Sequence, residues 1–201
     1  MGDEHPTAGA TKGEQTRQAV LDAAIARFGA DGYRATSVAR IARDADVSGT
    51  VPYAYFPNKG ALFLAALDED AAGVIHEAVS SILDDPESRA WQSTVIVTLV
   101  TALDAHPLAR RVLAGLEPHV TDRMLDIPAL AELRKAVAER IAHDQLAGVV
   151  RTDVDPAAMA NGTVVIILSL LMSVVQFGPG GIAAHGPDVF AVFEAAFRPT
   201  D

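Results

Sequence analysis

Cysteine is absent from this 201-residue chain. That excludes disulfides and thiolate metal sites, and with them a disulfide-stapled secretory scaffold. Aromatic residues are scarce, so the apolar half of the composition is chiefly Ala, Val, Leu and Ile. Ala and Leu favour helices, and a chain of this length and apolar content can bury a sizeable core as one domain or two small ones. An excess of basic charge is missing too: the formal net charge is −10. Residues 1–60 carry seven Lys/Arg and seven Asp/Glu, so the whole acidic excess falls on residues 61–201. Such asymmetry can point to a polyanion at the less acidic end, but a merely neutral end does not imply one by charge alone; an acidic remainder would repel a polyanion and help to orient the neutral end toward it.

No apolar run opens the chain. The first nineteen residues are polar, with many Gly and Thr and no secretory core, and a cytoplasmic location is expected. The one long apolar run, residues 157–177, is interrupted by Asn161, Thr163, Ser169, Ser173 and Gln176 and lacks a basic flank or aromatic belt. It reads as a helix buried on all sides rather than a membrane span. Nucleophile elbows, phosphate-binding loops and dinucleotide fingerprints are also missing, and no two of the six histidines have ligand spacing. No enzyme activity, no cofactor and no metal site are expected.

What is present is helical punctuation. Residues 1–13 read as a tail. From Glu14 a helix begins, with Val20, Leu21, Ala24, Ile25 and Phe28 on one face, and Gly32 ends it. Thr36 or Ser37 caps a second helix carrying Val38, Ile41, Ala42 and Ala45. Ser48 is placed to cap a short third helix. Pro57-Asn58 breaks the chain, and Asn58 caps a long helix from Lys59 whose face holds Leu62, Phe63, Ala66 and Leu67. Beyond residue 60 the pattern is all helix, broken near Pro86, Pro107, Pro118, Pro128, Gly148, Pro156 and Gly178, for roughly nine helices in total.

Two short helices across a tight turn are the helix-turn-helix unit, whose second helix enters the major groove of DNA. The stretch ATSVARIARDADVSGTVPYAYFPNKGALF, residues 35–63, with Phe28 and Gly32-Tyr33 upstream, resembles the head of the tetracycline-repressor (TetR) family. The resemblance covers about 50 residues and is specific in its ordering. It implies an all-α fold: a three-helix DNA-binding domain over residues 14–60 and a helical ligand-binding and dimerisation domain over 61–201. Within the head, hydroxyls and amines set register on phosphates, and Thr36, Ser37, Tyr55 and Lys59 suit that role. Tyr55 matches the family's aromatic phosphate contact. Ser48, Gly49, Thr50, Val51 and Tyr53 are candidates for facing base edges. Two positions depart from the family pattern. Pro52 stands where Leu or another helix former is usual, so the reading helix starts late or distorted. Ala54 stands where a polar residue is common, which leaves little charge on that helix and a small salt dependence.

For the body, the resemblance implies a homodimer through residues 156–177 and 186–197, a double-stranded operator with matching two-fold symmetry, and a small-molecule effector. Candidate effector contacts are Trp91, His106, Arg110, His119, Met124, His143, Met159 and Gln176, each of which has a plain packing or surface alternative. A helical binding or scaffolding protein that never touches DNA is the competing reading.

Overall fold

The computed structural model describes residues 11–199, without the side chains of residues 179–185. Among the described residues nine α-helices follow in order: α1 (Lys12–Ala35), α2 (Val38–Asp44), α3 (Pro52–Tyr55), α4 (Lys59–Asp84), α5 (Trp91–Ala102), α6 (Pro107–Leu113), α7 (Ala129–Leu146), α8 (Pro156–Phe177) and α9 (Pro179–Phe197). A 3-10 segment, Pro118–Asp126, lies between α6 and α7, and no strand occurs among the described residues. The fold is all-α. The chain divides into an N-terminal unit ending at Leu67 and a C-terminal unit beginning at Asp68.

In the N-terminal unit, α1 starts two residues earlier than its apolar face suggests. Thr11 and Glu14 form a capping box: Thr11 Oγ1 accepts from the Glu14 amide, and the Glu14 carboxylate accepts from the Thr11 amide at 2.7 Å. Lys12 and Gly13 are therefore helical rather than tail, while residues 1–10 of the expected tail lie outside the described residues. Gly32 breaks α1 with φ 81°, a conformation open to glycine. Val20, Leu21, Ala24 and Phe28 are fully buried, as are Ile41 of α2 and Leu62, Phe63 and Ala66 of α4, with Val38 6% exposed. Phe28 meets Phe63 edge-on at 5.0 Å. Each of the larger of these side chains, the Val, Leu, Ile and Phe, contributes about 1.5–3 kcal/mol by leaving water.

In the C-terminal unit α8 packs on α5, α6, α7 and α9. Only one face of α8 is buried: Ala160, Thr163, Val164, Ile167, Leu170 and Leu171. The expectation of burial on all sides does not hold within one chain, since Val165 is 45% and Ile166 37% exposed. By length and composition α8 could cross a membrane. One side of it closes the core, and the other leaves Val165, Ile166 and Phe177 exposed between Asn161, Ser169 and Gln176.

Candidate nucleic-acid interface

Helices α2 and α3 and the turn between them form the helix-turn-helix. Ser37 caps α2, its Oγ accepting from the Arg40 amide at 3.4 Å. The helix ends in a Schellman arrangement: the Val47 amide donates to the Ala42 carbonyl and the Asp46 amide to that of Arg43. Asp46 supplies the left-handed residue this turn requires, with φ 54°. Arg27 then clamps α2 to α1, donating from Nε to Asp44 at 2.7 Å and from Nη1 to Asp31 at 3.4 Å.

The hydrogen bond from Arg27 holds the Asp44 carboxyl below its ordinary range, and Arg40 and Arg43 act in the same sense. A carboxylate depressed in the folded state stabilises fully above its unfolded pKa of about 4, and that contribution is lost as pH falls through the depressed value. Acid unfolding of the wild-type chain, followed by circular dichroism from about pH 5 downwards, is therefore expected to be steeper than that of Asp44→Asn. Coincident curves would remove Asp44 from the acid response.

The third helix departs from expectation. Ser48 does not cap it. Its hydroxyl lies 3.3 Å from that of Thr50, and its carbonyl accepts from Val51 in a tight turn. The helix begins at Pro52, where a missing N–H costs nothing, and spans only four residues. Pro52 and Phe56 are buried, which leaves Ser48, Gly49, Thr50 and Tyr53 on the outside, Tyr53 being 54% exposed. No neighbouring atom lies within 4 Å of where a Cβ on Gly49 would stand, so the backbone there is open to close approach. Val51 is half-buried at the helix start.

The flanking groups divide. Ser37 is exposed at the start of α2. Thr36 is not available: it is 2% exposed, and its hydroxyl donates to the Arg27 carbonyl at 3.3 Å. Burial turns it from a surface hydroxyl into a tie across the Gly32 break. The expected phosphate contact at Thr36 is therefore replaced by a structural role. Tyr55 is half-buried, with its hydroxyl 3.9 Å from the Cβ position of Gly13. Asn58 caps α4, accepting from the Ala61 amide at 2.8 Å. Lys59 follows, its ammonium 4.4 Å above the Tyr33 ring.

The effector candidates of the C-terminal unit do not converge. Trp91 and His143 share one crevice of about 690 Å³, together with Arg140, Asp144, Phe193 and Phe197. The other six do not line it. His106 lies against α4, its ring N–H donating to Asp70 at 2.9 Å. Arg110 pairs with Asp104 at the surface. His119 is exposed beside Glu117, and Met124 is core. Met159 is half-buried. Gln176 donates to the Leu113 carbonyl at 3.0 Å.

A family model described as bacterial regulatory proteins, tetR family, matches residues 20–66. The chain is 31% identical over 166 residues to an HTH-type transcriptional repressor of Streptomyces coelicolor, covering 76% of this chain and 80% of that one. Two similar solved structures share its fold. One is a TetR-family transcriptional regulator from Cytophaga hutchinsonii, with TM-score 0.72 and 14% identity over 96% of this chain and 100% of that one. The other is the transcriptional regulator FadR from Bacillus subtilis in complex with stearoyl-CoA, with TM-score 0.58 and 15% identity over 90% of this chain and 99% of that one.

Proposed function

The chain belongs to the TetR family of bacterial regulatory proteins, and from that premise we propose that it is a cytoplasmic transcriptional repressor that binds a palindromic operator as a homodimer and leaves it when a small molecule occupies the C-terminal unit. The observation that carries the reading is the exposed row Ser48, Gly49, Thr50 and Tyr53, flanked by Ser37, Tyr55 and Lys59. Thr50 can hydrogen-bond base edges, Val51 can reach a thymine methyl, and Gly49 admits the duplex backbone. Ser37, Tyr55 and Lys59 set register on phosphates.

The homodimer is supported by the exposed Val165, Ile166 and Phe177 of α8 and by Val192 of α9, 58% exposed, within the residues 156–177 and 186–197 expected to pair. Two reading heads related by a two-fold axis require a palindromic site. Replacing Val165 and Ile166 together by Arg is expected to give a monomer by sedimentation. Operator affinity should then fall by roughly a hundredfold or more, because the second head no longer acts at high effective concentration. An undiminished dimer would move the interface elsewhere.

Of the effector candidates, Trp91 and His143 remain, since one molecule in their crevice can touch both. Trp91 is the only tryptophan, so its fluorescence reports ligand entry. The effector acts by binding the DNA-free conformation more tightly than the DNA-bound one, and operator affinity falls by that difference.

The test is selection of bound sequences from a random DNA pool, repeated with Tyr55→Ala and Lys59→Ala. A palindrome is expected, weakened in both variants. Removing one charged phosphate partner lowers the slope of log affinity against log salt by about 0.9. A folded dimer that enriches nothing would favour a helical binding protein without DNA.

A further inference from the structure

We propose that Tyr33 is a positioning residue for DNA binding: its ring holds the Lys59 ammonium over the N-terminus of α4 and so presents that charge to a phosphate. This rests on the reading of the N-terminal unit as a DNA-binding head.

A lysine has a flexible four-carbon stem and a strongly hydrated charge, so ordering it on a phosphate costs rotamer entropy. That cost falls where the ammonium is already held. Lys59 is half-buried, and its Nζ lies 4.4 Å from the centroid of the Tyr33 ring, inside the range of a cation–π attraction. Among the described residues no carboxylate forms a salt bridge with Lys59, so the ring orients the ammonium without neutralising it. A carboxylate in the same place would hold the lysine equally well and cancel the charge that a phosphate needs.

The ring itself is fixed. Tyr33 meets Phe63 edge-on at 5.1 Å and lies near-parallel to Phe28 at 6.2 Å, two residues that are fully buried. Gly60 completes the setting: a Cβ there would stand 3.7 Å from the Tyr33 hydroxyl and 3.2 Å from the carboxamide oxygen of Asn58, the residue that caps α4. The break at Gly32, φ 81°, turns the chain within α1 immediately before Tyr33. Cap, ring and lysine thus form one assembly at the start of α4.

The experiment compares the full-length wild type, Tyr33→Leu, Tyr33→Phe, Lys59→Ala and the Tyr33→Leu/Lys59→Ala double variant on one DNA duplex selected by the wild type, at several salt concentrations. Tyr33→Leu is expected to weaken binding about two- to fivefold, the scale of an exposed cation–π contact, and to reduce the salt slope as Lys59→Ala does. Tyr33→Phe, which keeps the ring face, should match the wild type. The double variant should be no weaker than Lys59→Ala, because the tyrosine acts only through the lysine. A shape-preserving series guards against misfolding of Tyr33→Leu: phenylalanines of increasing fluorination at position 33 weaken the negative ring face, and affinity should fall in step. Additive losses in the double variant, a Tyr33→Leu loss with the wild-type salt slope, or no trend with fluorination would overturn the inference while leaving a DNA-binding head in place. A wild-type protein that binds no duplex at all would overturn the reading beneath it.

Discussion

Replacing Asp144 by Ala is expected to lower the stability of the chain by about 3–5 kcal/mol, the cost of leaving a buried charge without its partner. For a chain of this size that corresponds to a fall in melting temperature of roughly 10 °C or more. Asp144 on α7 is 7% exposed and its neighbour Arg140 is 6% exposed. One carboxylate oxygen accepts from Arg140 Nε at 3.0 Å, and the other accepts from the Trp91 indole N–H at 3.1 Å. Arg140 spends its remaining reach on the backbone, donating from Nη1 to the Asp85 carbonyl at 3.1 Å and from Nη2 to that of Ser88. The guanidinium also lies over the Trp91 ring at 5.6 Å. One arginine therefore ties the connection between α4 and α5 to α7. Removing Asp144 strands both a guanidinium and an indole N–H. The double change Arg140→Met with Asp144→Leu should recover much of the loss, since it removes both charges together. Urea denaturation of the two single variants and the pair gives the coupling. Additive losses would mean that the two side chains act independently.

The second large effect is one of sign. Alanine in place of a glycine in the interior of a helix ordinarily stabilises by about 1 kcal/mol. Gly73→Ala in α4 is expected to destabilise by roughly 1–3 kcal/mol, as overpacking does. A Cβ at position 73 would collide with Cε1 of the His106 ring and stand 2.9 Å from its Nε2. The ring cannot retreat freely, because its Nδ1 donates to Asp70 at 2.9 Å. Asp70 is itself 3% exposed and accepts from the Leu108 and Ala109 amides, each at 2.8 Å, so it caps α6 from α4. Moving His106 therefore loosens the joint between the two helices. In a His106→Ala background the clash is gone, and Gly73→Ala should revert to stabilising. If Gly73→Ala stabilises with His106 still present, the ring does not sit where the close approach places it.

These two sites mark the limit of what the linear sequence conveys. Local signals were legible. The Gly32 break, the Ser37 and Asn58 caps and the late start of α3 at Pro52 all depend on residues within one turn of each other. The apolar periodicity of α1 and α2 likewise pointed to Val20, Phe28, Val38 and Ile41, all of them buried. Long-range burial was not legible. Thr36 looks like a surface hydroxyl until the chain folds back and places the Arg27 carbonyl beside it, nine positions away. Asp144 and Arg140 have the spacing of a solvated helix pair, and it is Trp91, 53 positions distant, with the Asp85 and Ser88 carbonyls, that makes them a buried one. His106, beside Pro107, reads as a surface break, yet its ring packs into the space left by a glycine on another helix. Capping and periodicity are set by near neighbours, whereas the fate of a polar side chain is set by whichever element lands upon it.

On the function proposed, this chain reads a two-fold DNA site through Ser48, Gly49, Thr50 and Tyr53, with Ser37, Tyr55 and Lys59 on the phosphates. The most direct test is fluorescence anisotropy of the purified protein on the selected palindrome, on one half-site alone and on a scrambled duplex of equal length, across a salt series. The expected result is two protomers on the palindrome, much weaker binding to the half-site, and discrimination against the scrambled duplex by about a thousandfold or more. Substituting Tyr53 or Thr50 should erode that discrimination, while Lys59→Ala lowers all affinities together and flattens the salt slope. Equal affinity for palindrome and scrambled duplex, or binding untouched by all of these substitutions, would contradict it.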